Sequence, residues 1–194
     1  MTAQRKLPAM MTVAEFLEWP GDGTDTRYEL VDGELRAMAP AADSHNTIVA
    51  NLAALIWNQL KHTGLPCRVV ATPGIEPHVR TDWNCRIPDL CVTCTPNRIG
   101  TVMTPDPILL IEVLSPSNKS DTYENVRAYT TIPSVREIVI VHSTQIRAEL
   151  LVRDEHGHWP ANATEIGVND VLKLNSINAT LPLAEVYAGT HLAG

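Results

Sequence analysis

One phenylalanine in 194 residues is little for a folded chain. Four Trp and four Tyr accompany it, so aliphatic side chains must do most of the core packing. A basic excess is also missing: 15 Lys and Arg stand against 22 Asp and Glu, a formal net charge of -7. Such a field repels phosphate backbones and argues against a general nucleic-acid packaging protein. It leaves room for an enzyme that meets DNA locally, because bound metal ions reverse the sign of an acidic cleft. No apolar run approaches the length of a membrane span. Residues 1–11 carry Arg5 and Lys6 without the apolar segment of a signal peptide. The expectation is a cytoplasmic protein with no membrane contact and with its four cysteines reduced. Repeats, low-complexity stretches and linkers are absent too. The length then suits an N-terminal tail over 1–11 and a single domain over 12–190.

The patterns that are present predict an α/β fold with a mixed central β-sheet flanked by helices. Thr12-x-x-Glu15 is a capping box that opens a short helix. Strands at 27–31 and 34–38 flank Asp32-Gly33, a two-residue hairpin signal. A long helix over 46–62, capped by Asp43 or Ser44, carries Ile48, Leu52, Leu55, Ile56 and Leu60 at helical spacing and stops at Gly64. Strands follow at 67–71, 74–79, 87–93 and 108–114. Asp121, with Glu124 three residues on, predicts a helix to about Thr131, stopped by Pro133. Residues 136–142 read as a strand buried on both faces. A hairpin of 146–153 with a strand near Trp159, turning at His156-Gly157, and a closing helix over 181–187 complete the chain.

Acids carry the chemistry. Glu112 interrupts the apolar run Ile108-Leu109-Leu110-Ile111-Glu112-Val113-Leu114, and Asp89 follows Pro88 at the entry to another strand. A buried charge needs a partner or a metal. If the two strands are neighbours, their carboxylates converge into the all-oxygen donor set that holds hard cations such as Mg2+. Glu34 is the third candidate, on one face of its hairpin strand. Each acid also has an ordinary reading: an exposed hairpin residue for Glu34, a turn acid for Asp89, a buried ion pair with an Arg for Glu112. Glu112 has no basic partner in its own strand, which favours the joint site. Glu29, in the same hairpin, reads either as an acid supporting the site from behind or as an ordinary structural one, and the structural reading is favoured. His45 falls at the start of the long helix, where backbone amides favour anions, so it suits a phosphate contact or water positioning.

Several segments resemble the PD-(D/E)XK nucleases, and more closely their bacterial Uma-type restriction endonuclease branch. They are Tyr28-Glu29-Leu30-Val31-Asp32-Gly33-Glu34, His45, Pro88-Asp89-Leu90, Ile111 to Ser117, Tyr129 with Ile132-Pro133-Ser134, and Leu181 to Tyr187. The resemblance implies a restriction-endonuclease-like fold and hydrolysis of double-stranded DNA by a homodimer using Mg2+ or Mn2+. It marks Glu34, Asp89 and Glu112, with the Val113 carbonyl, as metal ligands. A family lysine would fall at Asn125, seven residues before Ile132. Lys119 and Arg127 are nearby cations that could substitute, although Arg does not replace Lys directly. The substitution keeps open a rival reading, a catalytically degenerate nuclease fold that binds DNA or protein.

Cys91-x-x-Cys94, with Cys67 and Cys85 upstream, has the look of a zinc site. Residues three apart on a strand point to opposite faces, however, so small buried hydrophobes explain the pair better.

Overall fold

Apolar runs organise the protein around one six-stranded sheet. The computed structural model describes residues 7–193; the part of the expected tail over 1–6 lies outside the described residues. Helix α1 (Val13–Glu18) has the expected capping box: Thr12 Oγ1 accepts from the Glu15 amide, and Glu15 Oε2 accepts from the Thr12 amide at 2.7 Å. Strands β1 (Tyr28–Val31) and β2 (Glu34–Ala37) pair antiparallel as a separate hairpin. Asp32 and Gly33 both take positive φ, as the tight turn demands. A Cβ at Gly33 would also lie 2.7 Å from the Trp83 ring, so glycine is required there twice over.

Helix α2 (Asp43–Thr63) buries His45, Ile48, Leu52, Ile56 and Leu60 along one stripe and ends at Gly64 in the left-handed conformation. It starts earlier than predicted. Ala42, which has no side-chain acceptor for the first amides, is the N-cap in place of Asp43 or Ser44. The sheet then runs in the order β3 (Arg68–Ala71), β4 (Leu90–Thr93), β5 (Pro107–Leu114), β6 (Glu137–His142), β7 (Arg147–Val152) and β8 (Thr164–Gly167). Only β5 and β6 are parallel, joined by helix α3 (Lys119–Tyr129), because a parallel pair needs a crossover. Asn118 occupies the N-cap of α3, three residues before the predicted cap at Asp121.

One face of the sheet packs against α2, the hairpin β9 (Val171–Leu174) with β10 (Ala179–Pro182), and helix α4 (Leu183–Val186). The other packs Leu110, Leu114, Ile138 and Ile140 against Val126 and Tyr129 of α3. Two predicted strands do not form. Segment 74–79 makes only single bridges, Gly74 to Met103 and Ile75 to Arg86; Pro73 and Pro77 remove the amides a ladder needs. The strand near Trp159 is replaced by β8, farther along, and Pro160 accounts for the shift in the same way. No described helix is long and apolar enough to cross a membrane.

The cysteines depart from expectation. Cys67 and Cys94 form a disulfide that ties β3 to β4 one residue beyond their paired ends. Cys85 and Cys91 are buried free thiols. Burial pushes each of these two up to about 12, so they are inert as nucleophiles. The expectation of small buried hydrophobes holds for Cys91 and fails for Cys94, because strand pairing brings Cys94 to Cys67.

Candidate active site

Sheet register brings Asp89 to Glu112. Leu90 pairs with Ile111, and an antiparallel ladder therefore sets Asp89, one residue before β4, beside Glu112, whose side chain meets Tyr129 of α3. Glu112 stands near the carboxyl end of a parallel strand, the usual position for ligand sites in sheets of this kind. Glu112 is almost fully buried, and Tyr129 Oη donates to its Oε1 at 2.7 Å from α3. Burial pushes the Glu112 carboxyl well above the usual carboxylate range; the Asp89 charge pushes it further, and the Tyr129 hydrogen bond opposes both. Tyr129 itself is held far above the ordinary tyrosine value by burial and by Glu112.

Asp89 is held at both oxygens. Its Oδ2 accepts from the Val113 amide at 2.6 Å, and its Oδ1 lies 3.0 Å from His45 Nε2. His45 thus faces a carboxylate on the sheet from the third residue of α2. The Val113 carbonyl receives Asn118 Nδ2 at 3.5 Å, a long contact that leaves it open to another partner.

The hairpin contributes Glu29, not Glu34. Register places Glu29 opposite Arg36 and Glu34 opposite Val31 at the turn. Glu34 and Glu29 share a face, but Glu34 sits two residues farther out, exposed to solvent. Glu29 is buried, and its charge is among those that raise Glu112. Burial also raises the Glu29 carboxyl itself, against the pull of Arg86 and Arg36. Its partners, Arg36, the Ile87 amide and Asn125, suit a structural acid as well as one that supports the acid pair from behind.

Asn125 lies in this cluster, buried on α3, whereas Lys119 and Arg127 are exposed. The nearby cation is Arg86, which sequence reasoning passed over. Arg86 Nη1 donates to Asn125 Oδ1 at 3.1 Å, and Asn125 Nδ2 donates to Glu29 Oε2 at 3.3 Å. Arg36 Nη1 reaches Glu29 Oε1 at 3.5 Å, and its Nη2 reaches Glu124 Oε2 at 2.7 Å. Arg86 Nη2 completes the circuit on Glu124 Oε1 at 3.4 Å. Burial works to raise Glu124, but the hydrogen bonds and charges of Arg36 and Arg86 together outweigh it, and the carboxyl sits below its ordinary value.

Could this cluster hold a divalent cation? Among the described residues no three His, Cys, Asp or Glu side chains stand in ready ligand geometry. The chemistry of the pair nonetheless fits. Asp89 and Glu112 offer oxygens only, and two adjacent carboxylates in a buried setting repel unless a proton or a cation intervenes. Shape alone would direct attention elsewhere. Two clefts of about 630 and 830 Å3 open near Pro133, where β6 begins and opposite the acids; one holds Arg136 and Arg153, the other Arg98 and Asp106.

Comparison with known proteins bears on the fold and the family. A crystal structure of a "putative nuclease belonging to DUF820" from Anabaena variabilis ATCC 29413 superposes with a TM-score of 0.71, covering 92% of this chain and 98% of that one. At 14% identity that likeness establishes the fold alone. "Uncharacterized protein slr1290" from Synechocystis sp. (strain ATCC 27184 / PCC 6803 / Kazusa) is 28% identical over 177 residues, 90% of each chain. Residues 13–184 match the Uma2 family, described as "Putative restriction endonuclease", and the family and the fold together support a nuclease role. With the match spanning most of its length, the chain belongs to the Uma2 family.

Proposed function

We propose that this protein is a divalent-metal-dependent endonuclease that hydrolyses DNA phosphodiester bonds. The observation that carries this reading is Glu112, a buried carboxylate set beside Asp89 on neighbouring strands with no cation of its own. Asp89 and Glu112 would hold Mg2+ or Mn2+, with the Val113 carbonyl as a further oxygen; from the hairpin, Glu29 is better placed to assist than Glu34. Such an ion supplies an activated water at neutral pH and offsets charge on the phosphoryl oxygens.

The chain's own residues do the positioning. Tyr129 fixes one oxygen of Glu112, and the Val113 amide fixes one of Asp89. His45, with Nε2 on Asp89, would turn its other ring nitrogen to a water or a phosphate oxygen. Asn125 would orient water as a neutral donor. Lys119 and Arg127, exposed on α3, suit the DNA backbone better than the reacting atoms. Double-stranded DNA is the expected substrate, and a homodimer would address its two strands with two equivalent sites.

Asparagine at position 125 favours a second reading, a nuclease fold that binds DNA or protein without cutting. Plasmid DNA with Mg2+ or Mn2+ decides between them. Wild type should nick it and Glu112→Ala should not, the variant also guarding against contaminating nuclease. Calorimetric titration of Mn2+ should show binding that Asp89→Ala abolishes. Equal binding by both proteins would remove Asp89 from the site, and intact binding without cleavage of DNA or RNA would leave the binding module.

A further inference from the structure

Arg86 is the most deeply buried cation in the described chain that lies against the acids, with a side chain only 4% exposed. It belongs to no helix or strand and is fixed by a backbone bridge to Ile75. Its guanidinium uses one nitrogen on Asn125 and one on Glu124, and the third, Nε, is buried without a partner. A buried orphan donor is costly and calls for an explanation. Burying a charge here for stability alone is poor economy, since a well-packed apolar side chain does as well.

The circuit gives the charge a purpose. Asn125 accepts from Arg86 at Oδ1, which forces its Nδ2 toward Glu29 and the acid pair. Arg86 is also the strongest pull holding the Glu29 carboxyl down against burial. We propose that Arg86 is a positioning residue of the catalytic centre: its fork aims the Asn125 amide into the acid cluster and its fixed charge stands beside those acids. This rests on the nuclease reading for its catalytic consequence, but not for its electrostatic one. A lysine placed at 125 in the wild-type background would meet the Arg86 guanidinium, so Asn125→Lys alone should not speed cleavage.

A structural role and a positioning role separate in two measurements. Removing a fixed positive charge beside an acidic site strengthens its hold on a divalent cation while removing alignment slows turnover. Arg86→Met should bind Mn2+ about three- to tenfold tighter at mildly alkaline pH, by calorimetry. It should also nick plasmid at least about tenfold more slowly. Arg86→Lys, with the charge but not the fork, should match wild-type Mn2+ affinity within about twofold and still cut slowly. Arg86→Met combined with Asn125→Lys should recover most of the lost rate. Mn2+ binding that weakens or stays unchanged in a folded Arg86→Met would overturn the proposal. If that variant does not fold, Arg86→Lys decides: lost Mn2+ affinity overturns it, and retained affinity with slow cutting supports it. If wild type cuts nothing, the nuclease reading fails, and the Mn2+ comparison alone still upholds or overturns the placement of Arg86.

Discussion

Tyr129→Phe removes one oxygen from the interior and leaves the ring that packs against Leu110 and Ile140 in place. The lost bond, Tyr129 Oη to Glu112 Oε1 at 2.7 Å, is short and wholly buried. When Glu112 is ionised, a hydrogen bond to a charged group contributes about 1.5–3 kcal/mol; when it is protonated, the net value falls to about 0.5–1.5 kcal/mol. In a chain of this length the first loss lowers Tm by roughly 3–12 °C and the second by roughly 1–6 °C. The same bond opposes the upward push on the Glu112 carboxyl, so the variant should hold its proton more tightly still. Urea unfolding in chelator, run at acidic and at mildly alkaline pH, measures both effects. The loss should be larger on the alkaline side, where the carboxylate accepts a charge-assisted bond. A double-mutant cycle with Glu112→Met should give a coupling of about 1 kcal/mol or more. A loss under about 0.5 kcal/mol at both pH values, or no coupling, would refute the claim that Tyr129 holds Glu112.

Two further outcomes follow from the same structure. In chelator, native Glu112 holds its proton more tightly than the unfolded chain, whose ordinary value is 4.5. Its contribution is therefore complete below that value and is lost as pH rises through the raised native one. Glu112→Gln, neutral throughout, should flatten that decline and exceed wild type in alkaline urea titrations, while Mn2+ should stabilise wild type alone. A wild-type curve that instead rises across this window would contradict the sign. Cys67→Ser opens a disulfide spanning 27 residues. Chain entropy puts the cost at about 3.5 kcal/mol, less where β3 and β4 still pair, so a loss of 2–4 kcal/mol is expected by urea unfolding. No difference between oxidised wild type and the variant would show that the bridge does not form in solution.

Much of this was legible along the chain because periodicity is a local property. The stripe of α2, the capping box at Thr12, the Asp32-Gly33 turn and the buried centre of β6 all follow from spacing within one element. So does the oddity of Glu112 among aliphatic neighbours, which is what singled it out. Alternation placed Glu29 and Glu34 on one face but could not say which end of the hairpin meets the sheet; tertiary docking buried Glu29 and left Glu34 in water. Proline chemistry explains where the predicted strands at 74–79 and Trp159 failed. Those prolines were visible, and only the absence of a competing ladder gave them their weight.

What the sequence determined by itself is which faces of its helices and strands are apolar, and that the acids Glu112 and Asp89, set in or beside apolar strands, need compensation. Tertiary structure decided what surrounds them. Arg86 and Asn125 lie 39 residues apart and Asn125 and Glu29 lie 96 apart, and no local pattern couples positions so distant. Cys94 likewise found Cys67 across a strand pair and not Cys91 three residues away. The physical reason is the same in each case. Side-chain periodicity is set by backbone geometry within an element, whereas contact between elements is set by the register in which their buried faces come to rest.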